Sequence, residues 1–264
     1  MTVRDALDAA VPALEAAGCD TPRLDAEVMV ADALGLDRAA LVSDPGAPVP
    51  PAAARVIGER VRRRVLREPV AYILGRKGFR RIELAVDRRV LIPRPETELL
   101  VEVALSLPDG GRVHEVGTGS GAVALALLDE RPDLRVSASD ASPAAVEVAR
   151  GNAARLALAL ELSVARGLPA GDYDLVLANL PYVREDEWDE LRPEITKYEP
   201  PDALVAGPDG LGAIRELVAG AAPGTRLALE HAPAQAADVR ALLRDARTLA
   251  DLAGRERVTV GSAP

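Results

Sequence analysis

The run Arg112-Val113-His114-Glu115-Val116-Gly117-Thr118-Gly119-Ser120-Gly121-Ala122 decides the fold. Its first five residues read as a short strand, its glycines as a tight turn, and Gly121 to Glu130 as the helix that the turn opens. The alternation continues outward. Strands are expected at Arg135 to Ser139, Glu161 to Ala165, Tyr173 to Ala178, Thr225 to Glu230 and near Arg257 to Val260, with helices between most of them, such as Ala144 to Leu156 behind a Ser142 N-cap and Pro143. Strands alternating with helices give an α/β, Rossmann-like fold whose mostly parallel sheet is covered on both faces. Ligands of such sheets bind at the carboxyl ends of the strands, beside the switch in strand order, and the glycine turn lies at such an end.

Up to about residue 75 the period is helical instead. Thr2 with Asp5 forms a capping box with Asp in place of Glu, and Val3, Ala6, Leu7, Ala10 and Leu14 recur on one face. Thr21 is placed to cap a helix with Pro22 at its first position, and Gly35 to stop it. A Pro/Ala loop from Asp44 to Pro51 leads into a helix whose Arg55, Arg60, Arg62, Arg63, Arg64 and Arg67 have only Glu59 and Glu68 as local counter-charges. Such a run is either a solvated face or a docking surface for RNA or an acidic partner. From Phe79 to Ile92 the period becomes two, which suggests a strand or hairpin between domains. The expected division is a helical domain at 1–78, a β-hairpin linker at 79–94 and the α/β domain at 95–264.

With 264 residues, 48% hydrophobic and 28% charged, the chain can bury a sizeable core in one or two domains. No apolar run approaches a membrane span, and Arg4, Asp5, Asp8, Glu15 and Asp20 interrupt what would be a signal peptide's apolar region. A cytoplasmic, monomeric protein without a membrane partner is expected. One cysteine, Cys19, and two histidines, His114 and His231, cannot make a disulfide framework or a Cys/His zinc site, so no metal is expected. The net charge of −9 divides into +1 over residues 1–80 and −10 over residues 81–264. An acidic α/β domain disfavours nucleic acid as the direct substrate.

Glu115, at the strand end ahead of Gly117, Gly119 and Gly121, faces whatever the turn binds. Gly117, Gly119 and Ala122 also satisfy a loose dinucleotide fingerprint, with Asp140 at the right distance to hold a ribose hydroxyl pair, and a purely structural turn is a further reading. A carboxylate suits the cationic end of S-adenosylmethionine (AdoMet) better than a pyrophosphate. The fourth strand ends in Asn179-Leu180-Pro181-Tyr182, which alone also reads as a turn. Beside an AdoMet site it reads as chemistry. An amide nitrogen is a poor nucleophile because its lone pair is delocalised. The Asn179 oxygen and the carbonyl of residue 180 can accept its N–H groups, with Tyr182 covering the planar group, so that positioning carries the catalysis.

The chain resembles the PrmC/HemK family of protein glutamine N-methyltransferases, and within it the peptide chain release factor methyltransferases, from about residue 4 to 262. The resemblance rests on Glu68-Pro69-Val70-Ala71-Tyr72-Ile73-Leu74-Gly75, on Leu91-Ile92-Pro93-Arg94-Pro95-Glu96-Thr97-Glu98, on Tyr198-Glu199-Pro200, Ala203-Leu204 and Asp209-Gly210-Leu211, and on Leu229-Glu230-His231 with Arg257-Val258-Thr259. It implies a class I AdoMet-dependent methyltransferase behind a helical domain that helps dock the release factor. The reaction implied is methylation of the glutamine of the Gly-Gly-Gln loop, leaving S-adenosylhomocysteine. Glu115, Gly117, Thr118, Gly119, Gly121, Asp140 and Asn179 would bind AdoMet. Asn179, Pro181 and Tyr182 would be catalytic, and Leu180, Arg94 and Pro95, with Thr97, would help hold the substrate. Unaided, Pro93-Arg94-Pro95 also reads as an extended entry into a helix.

Three positions depart from the family pattern: Leu180 replaces the first motif proline, Arg166 stands where an acid meets the adenine amino group, and Ala232 replaces the glycine of Glu-His-Gly. They leave two alternatives, a diverged paralogue acting on another protein glutamine, such as one on a ribosomal protein, and a release-factor-binding protein with impaired catalysis. The acidic segment from Glu185 to Tyr198, with Trp188, is expected to be a mobile lid or a solvated loop.

Overall fold

Asp5 N–H donates to Thr2 Oγ1 and Thr2 N–H to the Asp5 carboxylate, the reciprocal cap anticipated from the sequence. The helix it starts, α1 (Val3–Ala16), buries Val3, Ala6, Leu7, Ala10 and Leu14. It packs on α2 (Pro22–Leu34), which ends at Gly35 in the left-handed conformation, φ 66°. Thr21 precedes α2 without capping it; its hydroxyl donates to Asp25 at 2.8 Å instead. With α3 (Arg38–Ser43), α4 (Pro51–Val65) and α5 (Val70–Leu74) these helices enclose a core of Leu14, Met29, Val30, Leu41, Ile57 and Ile73.

The computed structural model describes residues 1–264 and separates them into two units, Met1–Gly75 with Arg192–Tyr198, and Arg76–Leu191 with Glu199–Pro264. The arginines on and after α4 are largely committed inside the first unit. Arg60 pairs with Asp32 and Arg63 with Glu68. Arg64 bridges Asp25 at 2.7 Å and Glu194 at 2.8 Å, and Arg67 grips both oxygens of Glu194. Apart from Glu68, their counter-charges lie far away in sequence, so neither a solvated face nor a free basic patch describes Arg60, Arg63, Arg64 and Arg67. Arg192 also pairs with Asp20, and the Tyr198 hydroxyl donates to the Leu66 carbonyl, so the second half of the acidic segment is part of this unit rather than a solvated loop.

The second unit opens with the antiparallel hairpin β1 (Arg76–Phe79) and β2 (Ile82–Ala85). The hairpin starts before residue 79 and belongs to this unit, not to a linker. Its Ala85 N–H and C=O are both bonded by the buried Asn152 side chain, and Leu84 is fully buried. A turn at Pro95–Thr97 leads into α6 (Glu98–Leu105), and then the alternation begins: β3 (Arg112–Val116), α7 (Ala122–Glu130), β4 (Arg135–Asp140), α8 (Pro143–Leu156), β5 (Glu161–Val164) and β6 (Leu175–Ala178). After β6 comes α9 (Pro193–Tyr198), the helix counted with the first unit, then α10 (Gly212–Gly220), β7 (Arg226–Glu230), α11 (Ala236–Ala241), β8 (Arg244–Ala250) and β9 (Glu256–Ser262).

The seven-stranded sheet has the order β5-β4-β3-β6-β7-β9-β8. The first five run parallel, β9 runs antiparallel to both of its neighbours, and the edge strand β8 therefore points the same way as the first five. The chain winds from β3 outward to β5 and then returns to β6 on the other side of β3. The carboxyl ends of β3 and β6, carrying Glu115 and Asn179, therefore flank the switch point, where helices cannot close over the sheet.

Candidate active site

A cavity of about 770 Å³ opens at those strand ends. Its wall includes Glu115 near the end of β3 with Gly117, Thr118 and Gly119 after it, Asp140 at the end of β4, Arg166 after β5, and Asn179, Leu180 and Pro181 after β6, with Arg94 and Thr97 from the entry to α6. Gly121, Pro95 and Tyr182 are not part of it. Gly121 is buried at φ 83°, and a Cβ there would lie 2.9 Å from the Leu125 side chain, so this glycine serves the packing of α7. Pro95 is exposed and starts the turn. The Tyr182 hydroxyl is directed at Glu230, 3.5 Å away, instead of its ring covering the cavity.

Gly117 and Gly119 hold positive φ, 77° and 55°, and a Cβ at Gly119 would meet nothing within 4 Å. The turn is shaped from behind, because the Gly117 and Thr118 N–H groups both donate to the Ser139 carbonyl. Asp140 accepts Gly119 N–H at 2.8 Å on one oxygen and Ser142 N–H at 2.9 Å on the other. Each oxygen keeps a lone pair for a further donor.

Glu115 is buried, and both of its bonds, from the Thr118 hydroxyl at 2.6 Å and Ala124 N–H at 3.0 Å, go to Oε2. Burial pushes its pKa up to about 7, against those two bonds and with the Asp140 charge adding to the rise. Oε1 accepts no hydrogen bond within the chain.

At the end of β6 the Asn179 Nδ2 donates to Thr97 Oγ1 at 3.0 Å. Two acceptors beside each other, Asn179 Oδ1 and the Leu180 carbonyl, then make no bond within the chain. Glu199, almost fully buried, accepts Ile92 N–H and pairs with Arg94, which fixes the Ile92-Pro93-Arg94 segment beside the cavity. Sequence reasoning placed Arg94 here but gave Glu199 no role, since the two are 105 positions apart. It likewise missed Glu216 of α10, which lines the wall and lies 3.2 Å from Arg166. His231 is fully buried, with both ring nitrogens bonded, to the Ala232 carbonyl and Thr259 Oγ1. Those partners make it structural.

The PrmC N-terminal domain family matches residues 5–75, and the methyltransferase small domain family matches residues 95–195. Proteins named release factor glutamine methyltransferase match along nearly the whole chain. The one from Cereibacter sphaeroides is 42% identical over 100% of this chain and 99% of its own length. The one from Caulobacter vibrioides is 39% identical over 99% and 96%. The chain belongs to the release factor glutamine methyltransferase family. A third member, from Mycolicibacterium smegmatis, is 43% identical over 87% of this chain and 84% of its own. Arg166 brings its own carboxylate partner in Glu216, and Leu180 leaves its backbone carbonyl on the cavity wall.

Proposed function

We propose that this enzyme transfers the methyl group of AdoMet to the side-chain amide nitrogen of the Gly-Gly-Gln glutamine of peptide chain release factors, with Asn179 and the Leu180 carbonyl holding the amide. The observation that carries the reading is the pair of unpartnered acceptors at the end of β6, in the same cavity as the open glycine turn. The residues present fit AdoMet: Asp140 has free lone pairs for a ribose diol, Glu115 Oε1 awaits an ammonium, and Gly119 leaves room for close backbone approach.

When bound, AdoMet supplies an electrophilic methyl on its sulfonium. The chain supplies position and charge. Asn179 Oδ1 and the Leu180 carbonyl accept the two N–H groups of the glutamine amide, which fixes the plane of the group and aims its nitrogen. As positive charge grows on that nitrogen, both acceptors bind it more tightly than in the ground state, and the proton that the methylated nitrogen then carries in excess is lost to water. Pro181 biases residue 180 toward extended dihedrals, so that its carbonyl keeps this direction. The helices of the first unit are assigned the docking of the release factor body. A release factor substrate places the enzyme in the cytoplasm.

Intact-mass and peptide spectra of release factor incubated with enzyme and AdoMet test the reading; a gain of one methyl on the Gly-Gly-Gln glutamine is expected. Asn179→Ala should keep AdoMet affinity within a few-fold and lower the single-turnover rate by about 10²-fold or more. Equal rates for variant and wild type would remove Asn179 from this role.

A further inference from the structure

The Asn179-Leu180-Pro181-Tyr182 run is fixed at both ends. On one side Ala178 closes β6, in register with Val116 of β3 and Leu229 of β7. On the other, Val183 N–H donates to the Leu204 carbonyl at 2.8 Å and the Val183 carbonyl accepts Ala206 N–H at 3.0 Å. The Tyr182 carbonyl is held by a side chain instead. Gln235, 7% exposed in the turn before α11, donates from Nε2 to the Tyr182 carbonyl at 2.9 Å and to the Asp209 carbonyl at 3.2 Å, and its Oε1 accepts Ala232 N–H at 3.0 Å. Both amide hydrogens are used and the oxygen is engaged. Gly210 shows how close the fit is: it sits at φ 71°, and a Cβ there would collide with the Tyr182 oxygen and lie 2.6 Å from Gln235 Nε2.

We propose that Gln235 is a positioning residue for methyl transfer: by clamping the Tyr182 carbonyl it holds the Leu180 carbonyl in the direction that meets the substrate amide. This rests on the reading of the Leu180 carbonyl as an acceptor for that amide. Leu180 has no backbone hydrogen bond of its own. Pro181 fixes its own φ and biases residue 180 toward extended dihedrals, so the soft dihedrals left between the Leu180 carbonyl and the clamp are ψ of Pro181 and φ and ψ of Tyr182. Holding the Tyr182 oxygen restrains these together. With the clamp removed, rotation about them passes back to the Leu180 carbonyl, and the acceptor drifts from the position in which it aims the nitrogen at the methyl.

Gln235 is not on the cavity wall, so it acts on the reaction through the motif and not by touching AdoMet or substrate. A primary amide suits the task because it gives two hydrogens and keeps an acceptor. A carboxylate in its place would face the Tyr182 and Asp209 carbonyls with no hydrogen to give, and burial among acceptors would raise its pKa. Once protonated, the same group could give one hydrogen to the Tyr182 carbonyl and accept Ala232 N–H on its other oxygen. A methionine keeps the length of the side chain and gives no hydrogen at any pH.

The test is the single-turnover rate of methyl transfer to intact release factor at saturating AdoMet, with AdoMet affinity measured separately by calorimetry. Gln235→Met should lower kcat by about tenfold, with KM for release factor and AdoMet affinity within about threefold of wild type. A residue that served stability alone would move the melting midpoint and leave kcat unchanged well below it. Gln235→Glu should be slow at about pH 8.5 and recover toward the wild-type rate as pH falls to about 6, where its carboxyl regains a hydrogen for the Tyr182 carbonyl. Should Gln235→Met not fold, this pH dependence decides. A folded Gln235→Met enzyme as fast as wild type, or a Gln235→Glu rate whose ratio to wild type does not rise as pH falls, overturns the proposal while leaving the function assigned above in place. A wild type that binds AdoMet and methylates no release factor overturns that function, and this inference falls with it.

Discussion

Leu180 stands where the resemblance to the family implies proline, and its surroundings say what a change to proline would do. Its side chain packs against the buried cluster of Val116, Ala178, Leu211 and Leu217, and its Cδ2 comes within 3.0 Å of where a Cβ on Gly117 would be. Its backbone N–H makes no hydrogen bond that proline would remove. Leu180→Pro therefore loses some apolar contact and gains about 0.4–1 kcal/mol from a stiffer unfolded chain. Stability should stay within about 1 kcal/mol, AdoMet affinity should not change, and the single-turnover rate on release factor should be kept or rise severalfold. A fall of about tenfold with the fold intact would mean that leucine touches a different substrate, and the paralogue reading would replace the release factor. At this scale the sequence showed the strand ends and the turn well, because glycine and Asn-x-Pro-Tyr are local signals. It did not show that Tyr182 turns to Glu230 or that Thr97 holds Asn179, since each depends on a partner at least 48 positions away.

The helix α4 and the segment 192–198 show the same limit one level up. Helical period and caps identified α4, but the fate of its arginines depended on Asp25, Asp32 and Glu194, none of them near in sequence. The strand β8 was missed because Arg-Asp-Ala-Arg-Thr-Leu-Ala carries mostly helix-forming residues; only its pairing with β9 makes it a strand. Glu194 is the element-scale test. Burial alone would raise its pKa, yet the bonds from Arg67 and Arg64 hold it down to about 2. Its side chain is 13% exposed, and Glu194→Ala leaves two guanidinium groups short of a partner. A loss of about 3 kcal/mol in denaturant unfolding is expected near neutral pH. Because the folded pKa lies below the unfolded value of 4.5, the stabilisation is complete above 4.5 and disappears as pH falls toward 2. Wild type and variant should converge there, and a difference independent of pH would mean that packing, not charge, is what Glu194 contributes.

For the whole molecule the two buried carboxyls of the catalytic unit set the opposite trend. Burial raises Glu115 and Glu230 to about 7 from a reference of 4.5. The unfolded chain releases these protons near 4.5 while the folded protein keeps them, so the unfolded state binds fewer protons between 4.5 and 7 and stability declines across that window. Above it both states are ionised and the decline stops. Each group should account for about 1–3 kcal/mol of the fall. Glu194 works only at the acid end, and His114, which burial holds down to about 4, acts in the opposite sense to the two carboxyls up to its reference value of 6.5, so each carboxyl's share is read from its own variant rather than from the position of the optimum. Replacing either carboxyl by glutamine should flatten the curve by its own share, so the stability of Glu115→Gln relative to wild type should rise with pH. AdoMet separates the two, because its ammonium favours the anion of Glu115 and does nothing comparable for Glu230. Saturating AdoMet should therefore raise the unfolding midpoint more at pH 8 than at pH 6, and Glu115→Gln should remove that difference while Glu230→Gln keeps it. Melting curves at the two pH values with and without AdoMet decide it; an AdoMet shift of equal size at both pH values in the wild type would show that Glu115 does not meet the cationic end of the ligand.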